Sequence, residues 1–192
     1  MKKLLLISSL GLLLIGAGCS SSSTAVTYKT YRNSACGISF EYPSNWTATE
    51  DTKIDGVTLV SPETTKAQAD FAANSAVNGG EPGPSYDFSA HCWPTYTTFA
   101  QYNAVDDELS TAKNFTSLMD LLKDGKRRET TLDGATTLDG QPASNITIGG
   151  IGSTYEIWAE HGSFYALSLP NDTKDTQSVA AAHILATFQF SK

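Results

Sequence analysis

Three histidines, His91, His161 and His183, are the side chains of this 192-residue chain whose ordinary pKa suits proton transfer near neutral pH. His91 precedes Cys92, and Cys36 is a further thiol, so ligand types for a soft metal are present. Their spacing is not that of a zinc site: there is no C-x-x-C and no H-x-x-x-H. The run Asp106-Asp107-Glu108 offers oxygen ligands for a hard cation, but not in the order of an EF-hand loop, and it reads first as a solvated turn or an acidic helix start. His91, Asp106, Asp107 and Glu108 are therefore the residues from which a metal or small-ligand site would be assembled, without forming a recognisable one. G-x-S-x-G, P-loop, H-E-x-x-H and G-x-G-x-x-G patterns are missing, so no catalytic residue and no cofactor is expected. Trp93, Tyr96 and Tyr102, with Trp46, fall near turns or element ends. They read either as a recognition patch or as ordinary core.

Charge narrows the partners. The net charge of −7 disfavours a nucleic-acid binder, which needs a basic face to meet phosphates. Lys126-Arg127-Arg128 is the one basic cluster, and it reads as a solvated helix end supported by the helix dipole. Hydrophobic residues at 40% are enough for a packed core, while charged residues at 17% fall below the usual quarter, a balance common on exported proteins.

The first residues, MKKLLLISSLGLLLIGAGC, explain that balance. Lys2 and Lys3 precede an apolar stretch from Leu4 to Ile15, shorter than the roughly 20 residues of a membrane span but suited to a signal peptide. Gly16, Ala17 and Gly18 lead directly into Cys19. The arrangement resembles the bacterial lipoprotein signal, which implies removal of residues 1–18 and a diacylated Cys19 followed by a Ser/Thr-rich tether over 19–34. Without that resemblance it is an ordinary leader followed by a cysteine. Loss of the two lysines takes the net charge from −7 to −9, so an anchored body would be held off an anionic bilayer. No second apolar stretch approaches spanning length.

Cys36 and Cys92 remain. In an oxidising compartment such a pair commonly forms a disulfide; two free thiols and a metal or redox role stay open as alternatives.

Period-two alternation predicts strands at Gly37–Tyr42, from Trp46, at Val57–Val60 and at Tyr86–Trp93. Residues 64–77, Ala-rich with Phe71 as the one large apolar residue, predict a weak helix or loop, and the Gly/Pro-rich 78–84 an exposed loop. Phe115, Leu118, Leu121 and Leu122 lie at helical spacing, with a weaker helical stretch over 99–109. Two Leu-Asp-Gly triplets, at 132–134 and 138–140, favour hairpin turns between strands 129–132 and 143–148. Strands 154–160 and 163–169 meet at a two-residue His161-Gly162 turn, and both faces of that hairpin are apolar, which calls for cover on both sides. Val179, Ala182 and Leu185, with Ile184, predict a closing helix over 176–187 that supplies one covering layer, ahead of Phe188-Gln189-Phe190.

Four segments then occur in a telling order: GISFEYPSNW, TTLDGQPASNITI, TYEIWAEHGSFYALSLP and HILATFQF. Together they resemble PsbP-like proteins, including bacterial lipoprotein relatives, over roughly residues 36–190. The resemblance implies an α+β fold: an α/β/α sandwich with a mainly antiparallel central sheet and helices on both faces, here a single domain over 35–192. The family has no defining catalytic residues, so none transfers. PsbP itself is an extrinsic subunit associated with photosystem II, and a shared fold alone does not bring that role to another chain. The expected function is a non-enzymatic binding or assembly module, lipid-anchored on the extracytoplasmic side of a bacterial membrane, in the periplasm or wider cell envelope. Its expected partners are the membrane, through the lipid, and another envelope protein. The alternative is a small-ligand or metal-binding envelope lipoprotein using His91, Cys92 and the acidic run.

Overall fold

The computed structural model describes residues 26–51, 55–78, 86–94, 130–149, 154–170 and 175–191; of 75–78, 130, 170 and 175–177 only the backbone is described. The leader, Cys19, Tyr96, Tyr102, Asp106, Asp107, Glu108, the basic cluster and the helices expected over 99–122 lie outside them.

Among the described residues ten strands form two antiparallel sheets. The small sheet joins β1 (Tyr28–Asn33), β2 (Ile38–Pro43) and β10 (Gln189–Phe190) in the order β1-β2-β10. The large sheet is built from β3 (Thr47–Asp51), β4 (Gly56–Val60), β5 (Phe88–Trp93), β6 (Thr130–Leu138), β7 (Gln141–Ile148), β8 (Thr154–Glu160) and β9 (Phe164–Pro170). Its order is β3-β4-β5-β9-β8-β7-β6. Two helices are described, α1 (Pro62–Asn78) and α2 (Asp175–Thr187).

The fold begins earlier than the sequence suggests. Tyr28–Asn33 was expected within a tether, yet it pairs residue by residue with β2, from Tyr28 opposite Pro43 to Asn33 opposite Ile38. Its signal is faint because only Tyr31 turns into the core, while Lys29, Thr30 and Arg32 face solvent.

Strand alternation sorts the large sheet into two faces. Val57, Leu59, Phe88, Ala90, Cys92, Ile157, Tyr165 and Leu167 line the first, and they share one core with the small sheet and α2. Phe40 is its hub: it is 1% exposed, with ring centroids at 5.1 Å from Tyr31, 5.5 Å from Phe88 and 6.0 Å from Phe188. The second face carries a smaller cluster of Ile146, Trp158, Phe164 and Ala166. The mainly antiparallel α+β architecture is thus as expected, but helices on both faces are not found among the described residues: α2 and the small sheet together cover the first face.

Helix α2 presents a different stripe from the one its apolar spacing suggested. Ala180, Ala181 and Ile184 are buried, while Val179 is 66% exposed and Ala182 points out. Alanines let the helix approach the sheet closely, and that close packing, rather than side-chain size, decides which face turns inward.

Helix α1 is regular because its start is well built. Ser61 accepts the Thr64 N–H at 3.0 Å as N-cap, Pro62 occupies the first helical position, and the buried Asp87 accepts from the Ser61 N–H at 2.5 Å and the Thr64 hydroxyl at 2.8 Å. The proline that ends β4 is therefore the one that opens α1.

Turn chemistry separates the two Asp-Gly pairs. Asp139 and Gly140, with φ of 47° and 70°, make the two-residue turn between β6 and β7, closed by Leu138 opposite Gln141. Asp133-Gly134 makes no turn; the register shifts there and Gly134 forms a bulge inside β6. The loop between β8 and β9 has three residues, not two: Glu160 pairs with Phe164, and the His161 N–H donates to the Ser163 carbonyl at 3.0 Å.

Cys36 and Cys92 form a disulfide across 56 positions, with Cα atoms 5.8 Å apart. It ties the β1–β2 turn of the small sheet to β5 of the large one. The Tyr165 hydroxyl donates to the Cys36 carbonyl at 2.7 Å beside it, and burial pushes that phenol above its usual pKa. Replacing both cysteines with alanine should lower unfolding stability by about 4 kcal/mol, the chain-entropy value for a loop of this length. Urea titration of the full chain, with and without reductant, reads this. An oxidised protein no more stable than the double variant would refute the structural role.

Candidate functional site

On the second face of the large sheet, β5 places His91 opposite Gly56 of β4, and Gly56 opposite Asp51 of β3. A side chain at 56 would leave no room for the imidazole: a Cβ there would sit 2.5 Å from His91 Nδ1 and 2.6 Å from the Ala90 carbonyl oxygen. Beside His91, Ser89 pairs with Ser168 and Ser168 with Glu156. Glu156 accepts from the Ser168 hydroxyl at 2.8 Å and from the Trp158 indole N–H at 2.5 Å. Tyr86 leans on the same row; burial pushes its phenol up, against hydrogen bonding to Thr154 and Ser168. Trp93, Phe164 and Trp158 close one side, with ring centroids 5.5 and 5.6 Å apart in sequence.

The state of His91 follows from burial. Desolvation holds its pKa below the ordinary histidine value, and the attraction of Asp51 and Glu156 offsets this only in part. The ring is therefore neutral at pH 7. Its Nδ1 is buried without a hydrogen-bond partner among the described residues. Chemically this is a proton acceptor next to a hydrogen-bonded carboxylate, but its geometry is not that of a relay: Glu156 holds Ser168 and Trp158, and no described hydroxyl reaches His91 Nδ1.

Several expected site residues fall apart here. His91 and Cys92 are neighbours in sequence, but alternation sends them to opposite faces, and Cys92 is bonded to Cys36. A soft-metal site on His91, Cys92 and Cys36 is thereby excluded, while the acidic run of the small-ligand or metal alternative lies outside the described residues. Among the described residues no three His, Cys, Asp or Glu side chains gather as a metal site would require. Trp93 is half-buried against the second-face cluster, its ring tilted at 6.4 Å from His91. Trp46 is buried at 6% exposure. His161 sits exposed at its hairpin tip, its ring 4.6 Å from Phe190. His183 is a joint between elements: its Nε2 lies 3.1 Å from Glu41 and its ring stacks on Tyr28 at 3.7 Å.

A second feature was not anticipated. A groove of about 180 Å³ opens where the described chain begins, floored by Tyr28, Trp46 and Ala180, rimmed by Val26 and Val179, with Glu63 of α1 at its mouth. Val26 and Val179, 60% and 66% exposed, are the large hydrophobic residues left in solvent among those described. Sequence spacing hid them, because Val179 reads as a core position of its helix and Val26 as part of a tether.

The residues of this two-sheet α+β fold carry a family assignment. The PsbP-like protein family matches residues 17–190, and the chain belongs to it. Among solved structures it is similar to the solution structure of cyanobacterial PsbP (CyanoP) from Synechocystis sp. PCC 6803, at 13% identity and a TM-score of 0.42, covering 91% of this chain and 98% of that one. It is also similar to a crystal structure of a protein from Bacteroides thetaiotaomicron VPI-5482, at 10% identity and a TM-score of 0.45, covering 85% of this chain. The chain spans 48% of the length of that Bacteroides protein. No curated relative matches the chain. Among the described residues no helix is long and apolar enough to cross a membrane.

Two outcomes follow from the His91 environment. Because its folded pKa lies below the unfolded value of about 6.5, the unfolded chain takes up this proton first, and stability is lost as pH falls through about 6.5 toward the folded pKa. The difference in unfolding free energy between the natural protein and His91→Gln should thus change with pH below about 6.5, by at most about 1.4 kcal/mol per pH unit, and stay flat above it. Parallel curves throughout would show that His91 titrates normally. Gly56→Ala should cost about 1–3 kcal/mol, because the clash is with backbone as well as with the ring; an unchanged melting temperature would contradict the close approach.

Proposed function

We propose that this protein is a lipid-anchored, extracytoplasmic module of the bacterial envelope that binds or assembles a partner without catalysing a reaction. The observation that carries the reading is the Cys36–Cys92 bond. It fits an oxidising compartment, and it removes two of the three cysteines from further chemistry. Cys19 is left without a partner cysteine in its own chain, directly behind an apolar leader and three small residues. A lipidated N-terminus accounts for that odd thiol, the leader and the tether together. Family membership supports the non-enzymatic part, since PsbP-like proteins have no defining catalytic residues to transfer. The polar row around Glu156 then serves to specify how the second face packs.

Expressed in a bacterial host with its leader intact, the protein should enter the detergent phase on phase separation. Its N-terminal peptide should begin at Cys19 with the mass of an acylated cysteine. Cys19→Ala should lose that mass, with no loss of the Cys36–Cys92 bridge. Cleavage elsewhere, or an unmodified Cys19, would overturn the anchored reading.

A further inference from the structure

We infer that β10 is a latch beside the Cys36–Cys92 bond, and that a dithiol reductant reaches the bond only when this latch lifts. Both sulfur-bearing residues are sealed, Cys36 at 2% exposure and Cys92 at 1%. Cys36 nevertheless lies in the turn between β1 and β2, at the margin of the small sheet. The end of β10 closes that margin. The Ser191 N–H donates at 2.6 Å to the carbonyl of Gly37, the residue after Cys36. One residue earlier, the Phe190 ring stands edge-on to Tyr165 at 4.9 Å. Tyr165 is the cross-strand neighbour of Cys92, and its hydroxyl donates to the Cys36 carbonyl at 2.7 Å. Phe190 and Tyr165 thus form one wall beside the bond. Asp55 forms another: its carbonyl accepts the Cys92 N–H at 2.8 Å and lies 3.4 Å from Cys36 Sγ. The same oxygen is placed to accept from the thiol that reduction leaves on Cys36, so the opened bond finds a partner for its new S–H.

The latch is lightly held. β10 pairs with β2 at Gln189–Ser39 and Phe190–Ile38, and it is an edge strand of its sheet. The Phe190 N–H on the Asp139 carboxylate, at 2.9 Å, fastens it from the large sheet. Phe188, buried and stacked on Phe40 at 6.0 Å, stays with the core, so lifting stops at residue 189 and α2 does not move. A strand with so few backbone bonds opens far more readily than the whole domain. Once it lifts, a reductant thiolate attacks one protein sulfur, forming a mixed disulfide and expelling the other cysteine as a thiolate. The reductant's second thiol then displaces the remaining protein sulfur and leaves as a cyclic disulfide. Two electrons pass to the protein, and its two thiolates take up the protons that the reductant's thiols gave up. The small sheet is then tied to the large one by packing and hydrogen bonds alone, which makes this corner a redox-sensitive joint gated by β10.

Dithiothreitol tests this on the oxidised full chain at fixed pH. Alkylation at timed intervals, followed by peptide masses, reads Cys36 and Cys92 separately from Cys19. Asp139→Gly keeps the turn, whose φ of 47° glycine accepts, but removes the acceptor of the Phe190 N–H; it should speed reduction about tenfold. Asp139→Asn tolerates the same φ and keeps an acceptor oxygen without the charge, so it should stay within about threefold of the natural protein. In urea below the unfolding transition, the natural protein's reduction rate should stay nearly constant, because lifting β10 exposes little surface. A rate that climbs with the full slope of equilibrium unfolding would overturn the latch, since the bond would then open only when the whole domain does. An unchanged rate in Asp139→Gly, or Asp139→Asn reduced as fast as Asp139→Gly, would also overturn it. Should Asp139→Gly fail to fold, the urea dependence of the natural protein decides alone.

Discussion

The small sheet is what the rest of the structure depends on, and it cannot hold itself together. A three-stranded sheet whose third strand is the two-residue β10 has too little area to be stable alone. It survives because it is fastened to the large sheet at Cys36. There the disulfide to Cys92, the Tyr165 hydroxyl on the Cys36 carbonyl and the Ser191 N–H on the Gly37 carbonyl converge within two residues. Once that corner is fixed, β2 delivers Ile38, Phe40 and Tyr42 onto the first face of the large sheet, and α2 closes over them. At the same corner the Asp139 carboxylate accepts the Phe190 N–H at 2.9 Å, which ties the β6–β7 turn to the final strand.

The two faces of the large sheet divide the labour. The first is a conventional aromatic core, where Tyr31, Tyr42 and Phe88 meet Phe40 tilted or edge-on at 5.1–6.4 Å and Phe188 stacks on it at 6.0 Å. The second holds the chemistry-bearing side chains, and there it uses them structurally: Glu156 is spent on Ser168 and Trp158, and His91 is held neutral in a slot that only glycine at 56 leaves open. A histidine kept neutral by burial beside two acidic groups helps to specify how this face packs. Elsewhere Val26 and Val179 leave apolar surface exposed around the groove.

Strands with alternation were legible, β2, β4 and β5 above all, since one buried face imposes a period of two on any sequence, while β8 and β9 were legible as runs apolar on both faces. So was the Asp139-Gly140 turn, whose two positive φ angles only such residues accept cheaply. Asp133-Gly134 shows the limit: the same dipeptide in mid-strand becomes a bulge, because neighbouring pairings had already fixed where β6 runs. The start of α1 carried a legible signal, Ser61-Pro62-Glu63, an N-cap residue followed by proline at the first helical position. The candidate site was far less legible. Adjacency suggested that His91 and Cys92 act together, but the pleat separates them.

What the sequence determined by itself is what local chemistry and periodicity can encode: the alternation of the main strands, the tight turn at 139–140, a closing helix and the family pattern. What only the tertiary structure decided is where distant residues meet. The partner of Cys36, the inward face of α2, the slot at Gly56 and the groove between Val26 and Val179 each join positions tens to more than a hundred residues apart, as 26 and 179 do. Such meetings depend on sheet order and close packing, and neither leaves a periodic mark on the chain.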